Sequence, residues 1–259
     1  MSKSRGPQSV DLAEICAHLD EYLRISEVPD YPTAHNGLQV ANSGRVARLA
    51  VAVDAVQATV DRAAEAGADL LIVHHGLFWD PDPRLTDRRY RRIRRLLEAD
   101  VAVYSAHLPL DVHPEVGNNA VLAREIGVEL EGSFGEYRGF PIGVRGRLEI
   151  DREELVERLE QRLAGSVRVI AAGPERVSQI AVITGGAAGE VKRAREAGID
   201  TFITGEAAHH NYFDAEEAGV NLILGGHYAT ETWGVRALAH HLEERFGLPW
   251  TFIEHPTGL

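Results

Sequence analysis

Glu65-Ala66-Gly67-Ala68-Asp69-Leu70-Leu71-Ile72-Val73-His74-His75 is the stretch on which the fold turns. An Ala-Gly pair stops a helix cheaply, because glycine takes the left-handed conformation that ends one. Four apolar residues follow, the length of a short buried strand, and they open onto two histidines. The pattern recurs. Glu196-Ala197-Gly198-Ile199-Asp200 runs through 201–204 into Gly205-Glu206. Weaker copies run from Glu98-Ala99-Asp100 into Ser105-Ala106-His107, and from Glu217-Ala218-Gly219-Val220-Asn221 into Gly225-Gly226-His227. Helix end, tight turn, buried strand and polar ending, repeated, predict an α/β protein. In open α/β sheets ligands bind beyond the carboxyl ends of the strands. Four strands that each deliver His or Glu there can converge on one site. The competing explanation is that His and Glu are common loop residues.

Working outward, residues 11–24 read as a helix with Leu12, Ile15, Cys16, Leu19 and Leu23 on one face. A turn-rich stretch, 29–44, is interrupted by the apolar piece 37–40. Residues 49–53 and 69–73 read as strands, with a helix over 59–66 between them. Residues 132–149 are rich in glycine and aromatics without a 3.6-residue period, which predicts antiparallel strands or a hairpin. Residues 151–163 form an amphipathic pattern with Asp151 as N-cap. The strand–helix rhythm resumes at Val177. The antiparallel interruption is the best candidate for a change of domain.

The chain has 259 residues, 44% of them hydrophobic and 25% charged, with a formal charge of −12. That acidity argues against general affinity for nucleic acid or anionic membrane. A single cysteine, Cys16, excludes an intramolecular disulfide. No apolar run approaches the roughly 18 residues of a bilayer span. Residues 1–10 lack a signal-type apolar region and read as a loose tail, so cytoplasm is the expected location.

His74-His75 closes an apolar run. Neighbouring side chains at an extended strand end point to opposite faces, so the pair could serve two metal ions; two surface histidines are the alternative. In His107-Leu108-Pro109-Leu110-Asp111, Pro109 is expected to keep the segment from being helical. Asp111 could bridge two cations or cap a turn at 117–119. In His227-Tyr228-Ala229-Thr230-Glu231, a helix beginning near Thr230 would let both end residues face a site, or leave Glu231 merely favouring a helix N-terminus. His, His, Asp, His and Glu make a nitrogen and oxygen donor set with two negative charges, suited to zinc, iron, manganese or nickel. His107, Glu206, His209 and His210 are outer or substrate-facing candidates, a general acid or base among them.

Three features read otherwise. Gly185-Gly186-Ala187-Ala188-Gly189 could cradle a phosphate, but tight packing is the better reading because no dinucleotide fingerprint or P-loop is present. Residues 84–95 hold seven arginines, with Tyr90, Ile93, Leu96 and Leu97 on the apolar side, and suit a solvated face or subunit contact. Cys16 faces the core and reads as inert.

The segments 72–76, 105–111 and 226–231, with Asn36-Gly37-Leu38-Gln39-Val40 and 202–206, resemble the GTP cyclohydrolase 1 type 2-like (NIF-three-like) family, from about Leu12 to the C-terminus. The resemblance implies two interleaved α/β domains with a dinuclear metal site in the cleft between them. Residues 9–128 with 228–259 would form the first domain and 129–227 the second. It also implies a homohexameric ring. Carried over, the metal ligands are His74, His75, Asp111, His227 and Glu231, holding two divalent ions per chain, with His107 close by. Where many relatives have Thr-Asn in the middle motif, this chain has Leu108-Pro109, which changes the lining of the site and not its ligands.

The leading functional expectation is a metal-dependent hydrolase. Two ions about 3.5–4 Å apart would bridge a water, acidify it and polarise the bond attacked. The expected substrate is a nucleotide, purine or pterin-type small molecule, with His107, Glu206 and His209 as candidate catalytic residues. A protein that binds or delivers metal without turnover is the alternative. A third reading is a ring that binds nucleic acid through the arginine-rich helix.

Overall fold

A computed structural model describes residues 9–79 and 84–259. Of the tail expected over 1–10, residues 1–8 lie outside the described residues. Val10 instead opens a strand, pairing with Val46.

In chain order the elements are β1 (Val10–Asp11), α1 (Leu12–Tyr22), β2 (Gly37–Val40), β3 (Arg45–Val46), β4 (Leu49–Asp54), α2 (Gln57–Glu65), β5 (Leu70–His75), α3 (Asp87–Ala99) and β6 (Ala102–Ser105). Then come α4 (Leu108–Asp111), α5 (Asn118–Glu125), β7 (Glu129–Tyr137), β8 (Phe140–Asp151), α6 (Arg152–Leu163), β9 (Arg168–Ile170) and β10 (Arg176–Val182). The chain ends with α7 (Val191–Glu196), β11 (Thr201–Thr204), α8 (His209–Ala218), β12 (Asn221–Leu224), α9 (His227–Thr230), α10 (Thr232–Phe246) and β13 (Trp250–Phe252). Two compact units result. One runs to Leu110 and includes Val235–His255; the other is Asp111–Gly234 with Pro256–Leu259.

The first unit holds a five-stranded sheet in the order β13-β4-β5-β6-β2. All its pairings are parallel except β2 against β6. β4 and β5 are buried almost throughout, as parallel strands covered on both faces require. Ala50, Ala52, Leu71, Val73 and Val103 share a core with Val60 and Ala63 of α2 and Leu96 of α3. α1 is tied to the sheet by the Tyr104 hydroxyl, which donates to Asp20 at 2.7 Å. Its apolar face is the expected one: Leu12, Ile15, Cys16, Leu19 and Leu23 are all buried.

The second unit holds a six-stranded sheet in the order β7-β8-β10-β11-β12-β9. Its centre, β10-β11-β12, is parallel and its flanks antiparallel. The glycine-rich hairpin read at 132–149 is β7–β8. One face packs on Leu122 and Ile126 and on Leu155 and Leu159 of α6; the other packs on Val191, Ala194 and Ala215 of α7 and α8.

The repeated motif has a physical basis in these sheets. Gly67, Gly198 and Gly219 have φ near +70°, and Asp100 takes the same left-handed turn at 55°. The strands they launch are β5 and β6 in one sheet, β11 and β12 in the other. Asp151 occupies the N-cap position of α6, but its carboxylate meets Arg176 at 3.2 Å in place of the helix backbone.

The arginine-rich helix departs from its expected face. Leu96 is buried, yet Tyr90 and Leu97 are 50% and 63% exposed, while Arg89 is buried. Residues 89 and 96 stand seven apart on one stripe of the helix, and that stripe turns inward. Among the described residues, no helix is long and apolar enough to cross a membrane.

Candidate metal centre

At the carboxyl edge of the first unit's sheet, β5 ends in His74-His75 and β6 leads into His107. His74 is fully buried; His75 and His107 are partly so. One ligand atom from each of the three imidazoles lies within 4.8 Å of the others, a group that can hold a metal ion. The rings of His74 and His75 stand 4.7 Å apart, so neighbours on one strand end converge on one cluster.

Each ring has its Nδ1 engaged. His74 Nδ1 meets the Ala106 carbonyl at 3.0 Å, His75 Nδ1 the Asp54 carboxylate at 2.9 Å, and His107 Nδ1 Asp30 at 2.8 Å. Such partners fix ring orientation and leave the other nitrogen as donor to a metal. Asp30 is itself anchored, accepting from Tyr31 N, Leu108 N and the Asn36 amide. Burial opposes its ionisation, but the hydrogen bond and charge of His107, with Asn36 and Tyr31, hold its carboxyl below the ordinary value. Asn36 also accepts from His107 N at 2.7 Å. Trp79 stands edge-on to His107 at 4.8 Å, with Tyr31 at 5.8 Å from the same ring.

The second unit holds Asp111, His227 and Glu231. Contrary to the reading of 107–111, Leu108–Asp111 is a single helical turn, α4. Proline is tolerated in a first turn, where its missing N–H has no intrahelical partner to lose. Asp111 is buried and accepts from the Asn118 amide at 2.8 Å and the Thr184 hydroxyl at 3.4 Å. Asn119 braces the same loop, donating to the carbonyls of Asp111 and Ile142 and accepting from Thr184 N. The helical turn expected near Thr230 begins earlier, at His227, and Glu231 follows it at the junction with α10.

His227 Nε2 lies 3.2 Å from Glu231 and its Nδ1 3.0 Å from Glu206. The Glu231 hydrogen bond, assisted by Glu206 and opposed by burial, pushes the His227 pKa up to about 9. Gly185 has φ +68°, and a Cβ there would collide with Glu231 Oε1. At Gly205 a Cβ would stand 2.7 Å from His227 Cα. The glycines after β10 and β11 are therefore the wall against which the His227–Glu231 pair rests.

Glu206 thus meets His227, whereas His209 is exposed at the start of α8 with its ring against Phe213. His210 is exposed beside it. Sequence reasoning missed Asp54, Asp30 and Trp79. Asp54 had a signal of the kind used elsewhere, a carboxylate closing the apolar run 49–53. Asp30 and Trp79 sit in irregular segments with no period to read.

A model of Duf34/NIF3 (NGG1p interacting factor 3) matches residues 10–257. The chain belongs to the Duf34/NIF3 family. Curated Duf34/NIF3 relatives include the "GTP cyclohydrolase 1 type 2 homolog" of Deinococcus radiodurans, 42% identical over all of this chain and 98% of that protein. The protein of the same name in Halobacterium salinarum is 41% identical over 96% of this chain and 100% of its own length. Among solved structures, protein ybgI, described as of unknown function, superposes with TM-score 0.90 at 36% identity, covering 96% of this chain and 100% of that one. A Thermus thermophilus protein does so with TM-score 0.87 at 40% identity and the same coverage. The α/β fold is thus that of the family.

Proposed function

We propose that this Duf34/NIF3 protein is a metal-dependent hydrolase. In this reading His74, His75, Asp111, His227 and Glu231 together supply the ligands of two divalent ions. The observation that carries it is the state of the four imidazoles. His74, His75, His107 and His227 each have Nδ1 engaged by a carbonyl or carboxylate. The borderline-hard donor set fits zinc, iron, manganese or nickel. Divalent ions bound there would supply Lewis acidity, lowering the pKa of water and polarising the bond under attack.

The chain's own residues do the rest. Asp54 and Glu206 orient His75 and His227. Asn118 and Thr184 hold the carboxylate of Asp111. Asp30, kept ionised, holds the His107 ring through Nδ1 and leaves its Nε2 for a substrate. Glu206 has a second role open to it as an exposed acid or base. The names of the relatives favour a nucleotide, purine or pterin-type substrate. The exposed apolar residues Tyr90, Leu97, Tyr212 and Phe213 favour burial between copies in a homohexamer.

The test is metal analysis of protein purified without added metal, then a nucleotide and pterin hydrolysis screen. Wild type should turn over a member of the panel in a metal-dependent way, and Asp111→Ala should lose that turnover. Metal retained without turnover, and surrendered readily to an acceptor chelator, would refute the hydrolase in favour of a metal carrier.

A further inference from the structure

A cavity of about 200 Å³ opens beside His75, with Asp54, His75, Trp79, Arg88, Arg92 and residues 55–56 in its lining. We propose that this cavity binds the anionic end of the substrate, a phosphoryl group or similar oxyanion, on Arg88 and Arg92. The assignment of a substrate rests on the hydrolase reading; the anion site itself does not.

Five observations point to it. Arg92 is fixed in the wall, its Nη1 donating to the Ala55 carbonyl at 2.7 Å. Guanidinium groups so held present further N–H donors in a fork that matches phosphate or carboxylate. Positive charge is concentrated there. Burial, and then the charges of Arg88 and Arg89, lower the pKa of Arg92, a tension that an anion relieves. Among the described residues the one lining carboxylate, Asp54, is engaged by His75 Nδ1 at 2.9 Å. The Trp79 indole N–H is buried and meets no acceptor among the described residues. The wall at 55–56 is also the entry to α2, whose positive end favours negative charge.

Size sets the class of ligand. Sites that enclose a whole drug-sized molecule run to roughly 300–1,000 Å³. This one suits a head group, with the remainder of the molecule outside it. Contact with His75 places that head group next to the histidine cluster. Neutral purines and pterins are then poorer substrates than their phosphorylated forms. This also gives the arginine-rich stretch a role distinct from nucleic-acid binding: two of its arginines line a pocket, while Arg94 pairs with Glu98 on the surface.

The probe is inorganic phosphate, titrated calorimetrically at low salt into the full chain after chelator treatment, so that phosphate cannot report on bound metal. Wild type should bind one phosphate per chain saturably. Arg88→Gln should weaken it several-fold, and R88Q/R92Q at least about tenfold, while R94Q matches wild type. Circular dichroism of R88Q, an exposed position, guards against misfolding. Guanosine monophosphate should bind at least as tightly as phosphate and lose affinity in R88Q. Wild-type affinity in the double variant, no phosphate binding, or equal loss in R94Q would overturn the site. Monophosphate binding weaker than phosphate would overturn its assignment to a substrate. Metal content of R88Q is read in parallel: normal content with absent phosphate binding in wild type refutes the pocket and leaves the metal reading standing.

Discussion

Replacing Gly185 by alanine puts two separable penalties on the protein, and a second glycine allows them to be told apart. At φ +68° an alanine carries a left-handed strain of about 1–2 kcal/mol. Gly67, at φ +65° with nothing within 4 Å of its Cβ position, carries the strain alone. At Gly185 the new methyl also runs into Glu231 Oε1, with the carboxyl carbon at 3.2 Å and His227 Nε2 at 3.4 Å. Glu231 is 3% exposed and has little room to retreat into solvent. Its displacement breaks a buried hydrogen-bonded pair, at a further cost of about 1–3 kcal/mol. In a chain of this size each kcal/mol lowers Tm by roughly 2–4 °C. G67A should therefore melt about 2–8 °C below wild type and bind metal unchanged. G185A should melt lower still and bind zinc about 10–100-fold more weakly, the scale seen when a ligand loses its orienting partner. Calorimetric melting and competition against a chromophoric chelator measure both quantities. Should G185A bind zinc as tightly as G67A, Glu231 is not a ligand held by this loop, and the reasoning fails.

Other consequences follow from the same packing. Asn119→Ala leaves two carbonyls and the Thr184 N–H without their buried partner, a loss of at least about 3 kcal/mol. A thermal melt should shift by about 10 °C, and a shift below about 3 °C would contradict the network. Burial, with Asp20 adding to it, pushes the Cys16 thiol up to about 11. A disulfide reagent at pH 8 should label native protein about 100-fold more slowly than unfolded protein, since only the thiolate reacts; equal rates would refute that environment. His18 stacks on His241 and Tyr22, its Nε2 2.8 Å from His241 Nε2. Burial, then the charges of His241 and Arg245, lower its pKa against an opposing Glu21. The unfolded chain thus binds more protons just below the ordinary histidine value, so this contribution is present at neutral pH and lost as pH falls through that range. Between about pH 7.5 and 5.5 the Tm of wild type should fall more steeply than that of His18→Gln, and parallel curves would contradict it.

Much of this molecule can be read along the chain because four of its parallel strands are short, almost wholly buried and launched from left-handed turns. The segments at 70–75, 102–105, 201–204 and 221–224 carry their own punctuation, and the polar residue after each strand marks the carboxyl edge. What resists such reading is irregular or set by neighbours. Pro109 suggested an extended segment, but a proline in the first turn of a helix loses nothing, and α4 forms around it. Periodicity on α3 placed Tyr90 and Leu97 inward, whereas the stripe that packs holds Leu96 and the stem of Arg89. Gly185 looked like a packing residue, and it is; what it packs against is Glu231 and His227. Asp30 and Asn36, which hold His107, lie in turns whose register no local pattern dictates.

A hydrolase of the kind proposed must bind metal at these side chains. Crystals of the protein grown with zinc, measured at wavelengths above and below the zinc edge, test this. Two anomalous peaks per chain are expected, with His74, His75, Asp111, His227 and Glu231 as their ligands. Peaks absent from those side chains, or found only elsewhere on the surface, would contradict it.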